Sequence, residues 1–318
     1  MHVALLLITL AGTMSAHTPD PGHRTLAGLE GSEYSRDLQR VVDQAIQKVI
    51  VEFAADSLDT SQIAVTLVDL SPSRPAWAST RGQTAIYPAS VVKLFYLTAA
   101  HRWLEDHRLE DTDELRRAMR DMIVDSSNDA TSYVLDVLTG TTSGPELPAA
   151  ELAAWAERRN VVNHYLEAAG YRGINCNKKP WGDGPYGRET QAMKAFEPSR
   201  NLLTTDATAR ALCEIVLGRA VTAERSRQMM ELLHRDPSVP SDDPDDQSHG
   251  FTALAAVPGM KLWSKAGWTG RVRHDAAYVE LPNGQRFALV TFTEGHAGQR
   301  GIIAGVAREV IAEFQGRK

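Results

Sequence analysis

Cysteine is nearly absent: Cys176 and Cys213 are the only two in 318 residues. Neither sits in a C-x-x-C or zinc spacing, and no H-E-x-x-H occurs, so neither a metal nor any other cofactor is expected. In an oxidising compartment the two thiols could pair, and two separate buried thiols fit the sequence equally well. No G-x-S-x-G elbow is present, which argues against an α/β-hydrolase. There is no Arg/Lys-rich arm, and the formal net charge is -6, so nucleic acid is not an expected partner. No repeat of solenoid length occurs. Long apolar runs are missing too: residues 3–10 read VALLLITL, too short to span a membrane. Mostly small residues follow through Ala16, which reads as a signal peptide with cleavage near that residue, although Met1-His2 supplies no Lys or Arg. The mature protein is therefore expected outside the cytoplasm, periplasmic or secreted, as a monomer.

What is present is ordinary globular composition, 43% hydrophobic and 23% charged. Residues 17–34 are polar and Gly/Pro-bearing and read as a mobile lead-in. Helical spacing over 36–53 and a β-branched run at 63–70 follow, then a short strand at 76–80. Residues 90–104 read as a buried helix starting after Pro88. Further helices are expected over 114–124, over 129–138 with Asn128 as N-cap and Gly140 past the end, and over 149–169. A Gly-, Pro-, Asn- and Lys-rich loop is expected from 171 to about 200. Helices follow at 205–217, with Thr205 or Asp206 as the cap, and at 222–234. An acidic loop at 237–250 leads to three strands (260–265, 275–281, 286–293), with Pro282-Asn283-Gly284 turning the last hairpin. A helix over 302–314 closes the chain. The layout predicts an α+β fold: an antiparallel sheet built from both chain ends (35–80 and 255–318), flanked by helices, with an all-helical part (about 90–235) inserted between them.

Three short motifs carry chemistry. Ser90-Val91-Val92-Lys93 places a hydroxyl and an amine one helical step apart on one face. A serine is a weak nucleophile until a base takes its proton, and a desolvated lysine near other cations can be that base. Ser126-Ser127-Asn128 lies between two expected helices, and Lys265-Ala266-Gly267 on a late strand. Each alone has an ordinary structural explanation: a cap, a loop, an edge-strand lysine.

In this order the three motifs resemble those of class A β-lactamases and penicillin-binding proteins. The resemblance spans about 35–314, including MIVDSSNDAT at 122–131 and RVRHDAAYV at 271–279. It implies that Ser90 is acylated and that Lys93 helps to deprotonate it. Ser126 would relay a proton to the leaving nitrogen, and Asn128 would bind the substrate amide and Lys93. Lys265 would supply positive charge, and the backbone N–H groups of Ser90 and Trp268, beside Gly267, would form an oxyanion hole. Arg273 is a candidate for binding the substrate carboxylate. The expected substrate is a β-lactam or a cell-wall peptide.

The sequence also departs from the family. Ala266 replaces the usual Thr or Ser, removing a hydroxyl for the substrate carboxylate; Thr269 is a candidate to compensate. A β-lactamase needs a glutamate that activates the deacylating water. Glu197-Pro198-Ser199-Arg200-Asn201 matches the family's E-P-x-x-N, while Glu189 fits the spacing to Thr204-Thr205 better, and neither glutamate is also open. The 139–200 segment is longer than usual, and Lys178-Lys179-Pro180-Trp181-Gly182 would line or cover the cleft. The readings are a class A-like β-lactamase, a DD-peptidase, and a catalytically silent peptidoglycan binder, the last disfavoured by the intact Ser90-Lys93 pair.

Overall fold

The computed structural model describes residues 26–181 and 184–317. The apolar N-terminal run, the expected cleavage at Ala16, and Gly182 lie outside the described residues. Among these residues the order is β1 (Glu33–Tyr34), α1 (Arg36–Glu52), β2 (Ile63–Asp69), β3 (Ala76–Thr80), α2 (Lys93–Glu105), α3 (Asp113–Ile123) and α4 (Asn128–Thr139). Next come α5 (Ala149–Arg159), α6 (Val161–Ala168), α7 (Gly187–Ala195), α8 (Thr205–Val216), α9 (Ala223–Leu233) and β4 (His234–Arg235). The chain closes with β5 (Lys261–Trp268), β6 (Val272–Glu280), β7 (Arg286–Glu294) and α10 (Gly301–Gln315).

The strands form one sheet in the order β1-β3-β2-β7-β6-β5-β4. The two chain ends meet where β2 pairs antiparallel with β7, from Ile63↔Thr293 to Asp69↔Phe287. The expected α+β sheet is therefore present, and only the two-residue pairing of β1 with β3 is parallel. Every residue of β2 is buried, so its near-continuous apolar run reflects a strand covered on both faces. On one face α1 and α10 pack Val42, Ile46, Val306 and Val310 against Ile63, Val65 and Leu289. On the other face α2 leads the helical layer, with Phe95, Leu97 and Ala99 in a core shared with Ala64, Ala276 and Val290. Helix α2 is buried from Lys93 to His101 without a break, which is why its sequence reads apolar all round.

Five local expectations are corrected. The lead-in is not loose over 26–34: Leu26 and Leu29 are buried in the same core as α2, and β1 joins the sheet edge. Ser127, not Asn128, caps α4, accepting from Ala130 N at 3.1 Å, because the Asn128 side chain is engaged elsewhere. Thr204, not Thr205 or Asp206, caps α8, accepting from Ala207 N at 3.0 Å. The expected 149–169 helix breaks at Asn160, whose side-chain oxygen accepts from Asn163 and Asn177 instead of supporting a continuous helix. Helix α7 forms inside the stretch expected as loop. The two cysteines are free and buried, not paired. Among the described residues no helix is long and apolar enough to cross a membrane.

Leu29→Ala is expected to cost about 2–5 kcal/mol in unfolding free energy. A loss below about 0.5 kcal/mol in denaturant titration, the range of exposed positions, would show that the segment before α1 does not contribute to the core.

Candidate active site

Ser90 lies in a single 3-10 turn, Ala89–Val92, directly before α2. Ala89 enters this turn at φ +46, in the left-handed region that a side chain disfavours. The turn is held from outside. His274 on β6 directs its Nε2 at the Tyr87 carbonyl (2.9 Å), while its Nδ1 accepts from Thr293 N (3.1 Å). Those partners fix the tautomer with the proton on Nε2. Burial holds this imidazole neutral, its pKa pulled down to about 4. Strand β5 presses on the turn beside His274, its cross-strand partner being Gly267: a Cβ at Gly267 would lie 2.6 Å from Ser90 N and 2.8 Å from Pro88 O. Only glycine allows that approach.

Lys93 opens α2 and is completely buried. Its amine reaches Ser126 O at 2.5 Å, Asn128 Oδ1 at 2.9 Å and Ser126 Oγ at 3.1 Å. Among the described residues no hydrogen bond joins this amine to the Ser90 hydroxyl. Ser126, at φ +55, turns the chain between α3 and α4 so that both its oxygens face Lys93.

Lys265 arrives from β5, also fully buried. It donates to Gln247 Oε1 (2.7 Å), Ala266 O (2.7 Å) and Ser126 Oγ (3.1 Å). The Ser126 hydroxyl thus stands 3.1 Å from each of two amines. Along β5 the N–H groups alternate between edges. Ala266 N donates outward to Gln247 Oε1, whereas Thr269 N donates inward to Val272 O of β6. The Trp268 N–H therefore faces outward, on the edge where Gly267 meets Ser90 N.

Burial alone pulls the Lys93 pKa down to about 7. Lys265 is driven well below its ordinary value, first by burial and then by the neighbouring Lys93 and Arg235 cations, with Asp275 opposing. Arg235 on β4 is itself buried, donating to the carbonyls of Ile123 (3.1 Å) and Ser264 (2.8 Å). The site gathers two amines and a guanidinium in a desolvated seam, where a neutral amine can receive a proton and a charged one can stabilise a developing anion.

Among the described residues neither glutamate bonds to a residue of this seam. Glu189, on α7, is buried and takes bonds from Ser143 Oγ (2.8 Å) and Arg159 Nη2 (2.9 Å), with Lys179 Nζ 3.8 Å away. Arg159 and Lys179 also bind Asp136 of α4, at 3.0 and 2.7 Å. Glu189 is thus one of two acids in a four-charge knot with Asp136, Arg159 and Lys179 that joins α4, α5, α7 and the loop at Lys179. Glu197 is exposed, and its carboxylate accepts from Ser199 N at 3.0 Å. It borders a polar hollow of about 260 Å³ with Asn160, Asn163, Asn175 and Tyr171, none of them from the Ser90 cluster. Asn201 is buried, its Oδ1 accepting from Lys178 N (2.9 Å), Asn177 N (3.2 Å) and Tyr96 Oη (3.3 Å).

The family model described as "Beta-lactamase enzyme family" matches residues 41–314. The chain belongs to the Beta-lactamase enzyme family. Among solved structures, a β-lactamase from Sphaerobacter thermophilus aligns with TM-score 0.62 and 19% identity, over 88% of this chain and 98% of that one. PBP-A aligns with TM-score 0.61 and 18% identity, over 91% and 100%. A β-lactamase from Chitinophaga pinensis gives 0.62 and 16%, over 85% and 99%. These likenesses establish the shared fold. No curated protein matches the chain.

Against the β-lactamase family pattern, the Ala266 methyl lies on the face of β5 opposite Lys265, sealed under Phe251 and Ile303. Thr269 does not replace a hydroxyl there, since its Oγ1 accepts from Arg271 N (3.1 Å) and Val272 N (3.3 Å) in the β5–β6 turn. Arg273 is buried on that same face. Its guanidinium stacks on Phe251 (4.0 Å) and pairs with Asp245 (2.8 Å), so its charge is met within the protein. Gln247 is the site residue that sequence reasoning missed. It sits in a stretch whose acids and prolines read as surface, and no periodicity marks it. Glu189→Ala is expected to destabilise the fold by about 3–5 kcal/mol, because Arg159 and Lys179 lose a buried counter-charge. A variant with unchanged thermal midpoint and altered turnover would instead make Glu189 a reacting group.

Proposed function

We propose that this member of the β-lactamase family is a serine hydrolase that opens a β-lactam amide through an acyl intermediate on Ser90. The observation that carries this reading is the Ser126 hydroxyl held 3.1 Å from two buried amines, Lys93 and Lys265. Such a hydroxyl can give one proton while taking another.

In this reading Ser90 Oγ adds to the β-lactam carbonyl and its proton passes to neutral Lys93. The contact between these two groups belongs to the substrate-bound state, where catalytic hydrogen bonds tighten. The oxyanion is stabilised by the N–H groups of Ser90 and Trp268. The C–N bond then breaks, Ser126 protonates the leaving nitrogen, and Lys93 restores the Ser126 proton. Water finally cleaves the ester and frees Ser90. Among the glutamates, Glu197 is the one with a free outward path to water, and it would have to swing toward Ser90 to serve.

A second reading, a DD-peptidase acting on cell-wall peptides, shares acylation and differs in deacylation. It is favoured by the capture of Glu189 between Arg159 and Lys179 and by the internal saturation of Asn201. Either reading suits an exported protein, in keeping with the apolar run at 3–10 and the small residues through Ala16.

Intact-mass spectrometry after brief exposure to a penicillin is expected to show one covalent adduct, absent in Ser90→Ala. In the hydrolase the adduct clears within the assay; a persistent adduct selects the peptidase. No adduct on folded protein would contradict both. The acylation rate is expected to rise with pH through about 7, because Lys93 must be neutral to accept the proton. A rate flat from pH 5 to 9, on the order of two units either side of that value, would contradict Lys93 as the base.

A further inference from the structure

We infer that Gln247 is a positioning residue: its side-chain amide aims the Lys265 amine at Ser126 and ties the loop that carries Ser126 to strand β5. The inference deepens the acyl-transfer reading and rests on it for its catalytic meaning. Gln247 comes from the acidic loop at 237–250, yet it is only 6% exposed. Its Oε1 accepts from Lys265 Nζ (2.7 Å) and Ala266 N (3.0 Å). Its Nε2 donates to Ile123 O (3.1 Å) and Val124 O (3.0 Å). Two donors and two acceptances complete the bonding of a primary amide.

Both ends of that amide matter to Ser126. Ile123 closes α3 and Val124 follows it, so the carbonyls held by Nε2 fix the backbone just before Ser126. On the other end, a charged lysine has three N–H donors. Gln247 Oε1 and Ala266 O hold two of them, which leaves the third directed at Ser126 Oγ. Without Gln247 the amine would be free to rotate away, and the β5 edge would expose Ala266 N beside the oxyanion position.

The chemistry of the amide also suits the task. The charged groups around Lys265 are Lys93 from α2, Arg235 from β4 and Asp275 from β6. The loop's other charged groups near Gln247 have partners of their own: Asp245 pairs with Arg273 and Arg300, and Asp246 takes Ser248 N, faces His249 and acts on Arg235. A neutral oxygen at 2.7 Å orients the amine without adding a full counter-charge.

The test uses Gln247→Met, which keeps length and loses the hydrogen bonds, and Gln247→Glu, which adds charge. Two quantities are read: the Lys265 amine titration by NMR of lysine-labelled protein, and the pH profile of Ser90 acylation by a penicillin. Gln247→Met is expected to slow acylation about 10- to 100-fold, the effect of losing a hydrogen bond to a charged group. It should move to lower pH both the Lys265 titration and the alkaline limb of the profile, where the rate falls as the Lys265 ammonium loses its proton, since that ammonium loses an acceptor. Gln247→Glu should move both to higher pH by roughly 1–3 pH units. If both variants fold and leave the Lys265 titration and the alkaline limb in place, the inference is overturned. Should the parent protein take up no penicillin, the acyl-transfer reading falls, and the titration alone decides whether Gln247 governs the Lys265 amine.

Discussion

The organising constraint is the burial of two lysine amines that, among the described residues, have no carboxylate bonded to either. Lys93 and Lys265 are both completely buried, and their bonds go to hydroxyl, carbonyl and amide oxygens. A charged amine is costly to desolvate, and neutral oxygens recover only part of that cost. Lowering the Lys93 pKa from 10.5 to about 7 corresponds to roughly 5 kcal/mol against its charged form. That penalty is what turns an ordinary ammonium into a base near neutrality. The same chain shows the opposite solution nearby, where Arg159 and Lys179 meet Glu189 and Asp136 directly and hold helices together.

The fold exists at this point to keep three distant segments converged. Helix α2 is buried from Lys93 to His101, so its first residue is shielded from solvent. Strand β5 can lie against the Ser90 turn only because Gly267 has no side chain. The backbone is bent at Ala89 and Ser126 into conformations that cost of order 1–3 kcal/mol each, and the surroundings hold them there. His274 anchors the first bend through Tyr87, and Gln247 and Arg235 anchor the approach to the second through Ile123.

Much of this was legible in the sequence. Apolar spacing located α1, a β-branched run located β2, and motif order singled out Ser90, Lys93, Ser126, Asn128 and Lys265. What escaped depends on tertiary partners. Helix α7 forms in a Gly/Pro-rich stretch because Glu189 finds two buried cations. Asn128 yields the capping role to Ser127 because Lys93 takes its oxygen. Arg273 reads as a substrate-binding cation, yet Asp245, from a loop with no periodic signal, already faces it. Gln247 is invisible for the same reason: its role exists only when β5 and the end of α3 are both present.

The account rests on the Lys93 amine being neutral near physiological pH, and the most direct measurement is its titration by nitrogen-detected NMR in lysine-labelled protein. The predicted midpoint is about 7. A midpoint near the ordinary lysine value of about 10.4 would leave Ser90 without its base and contradict the account.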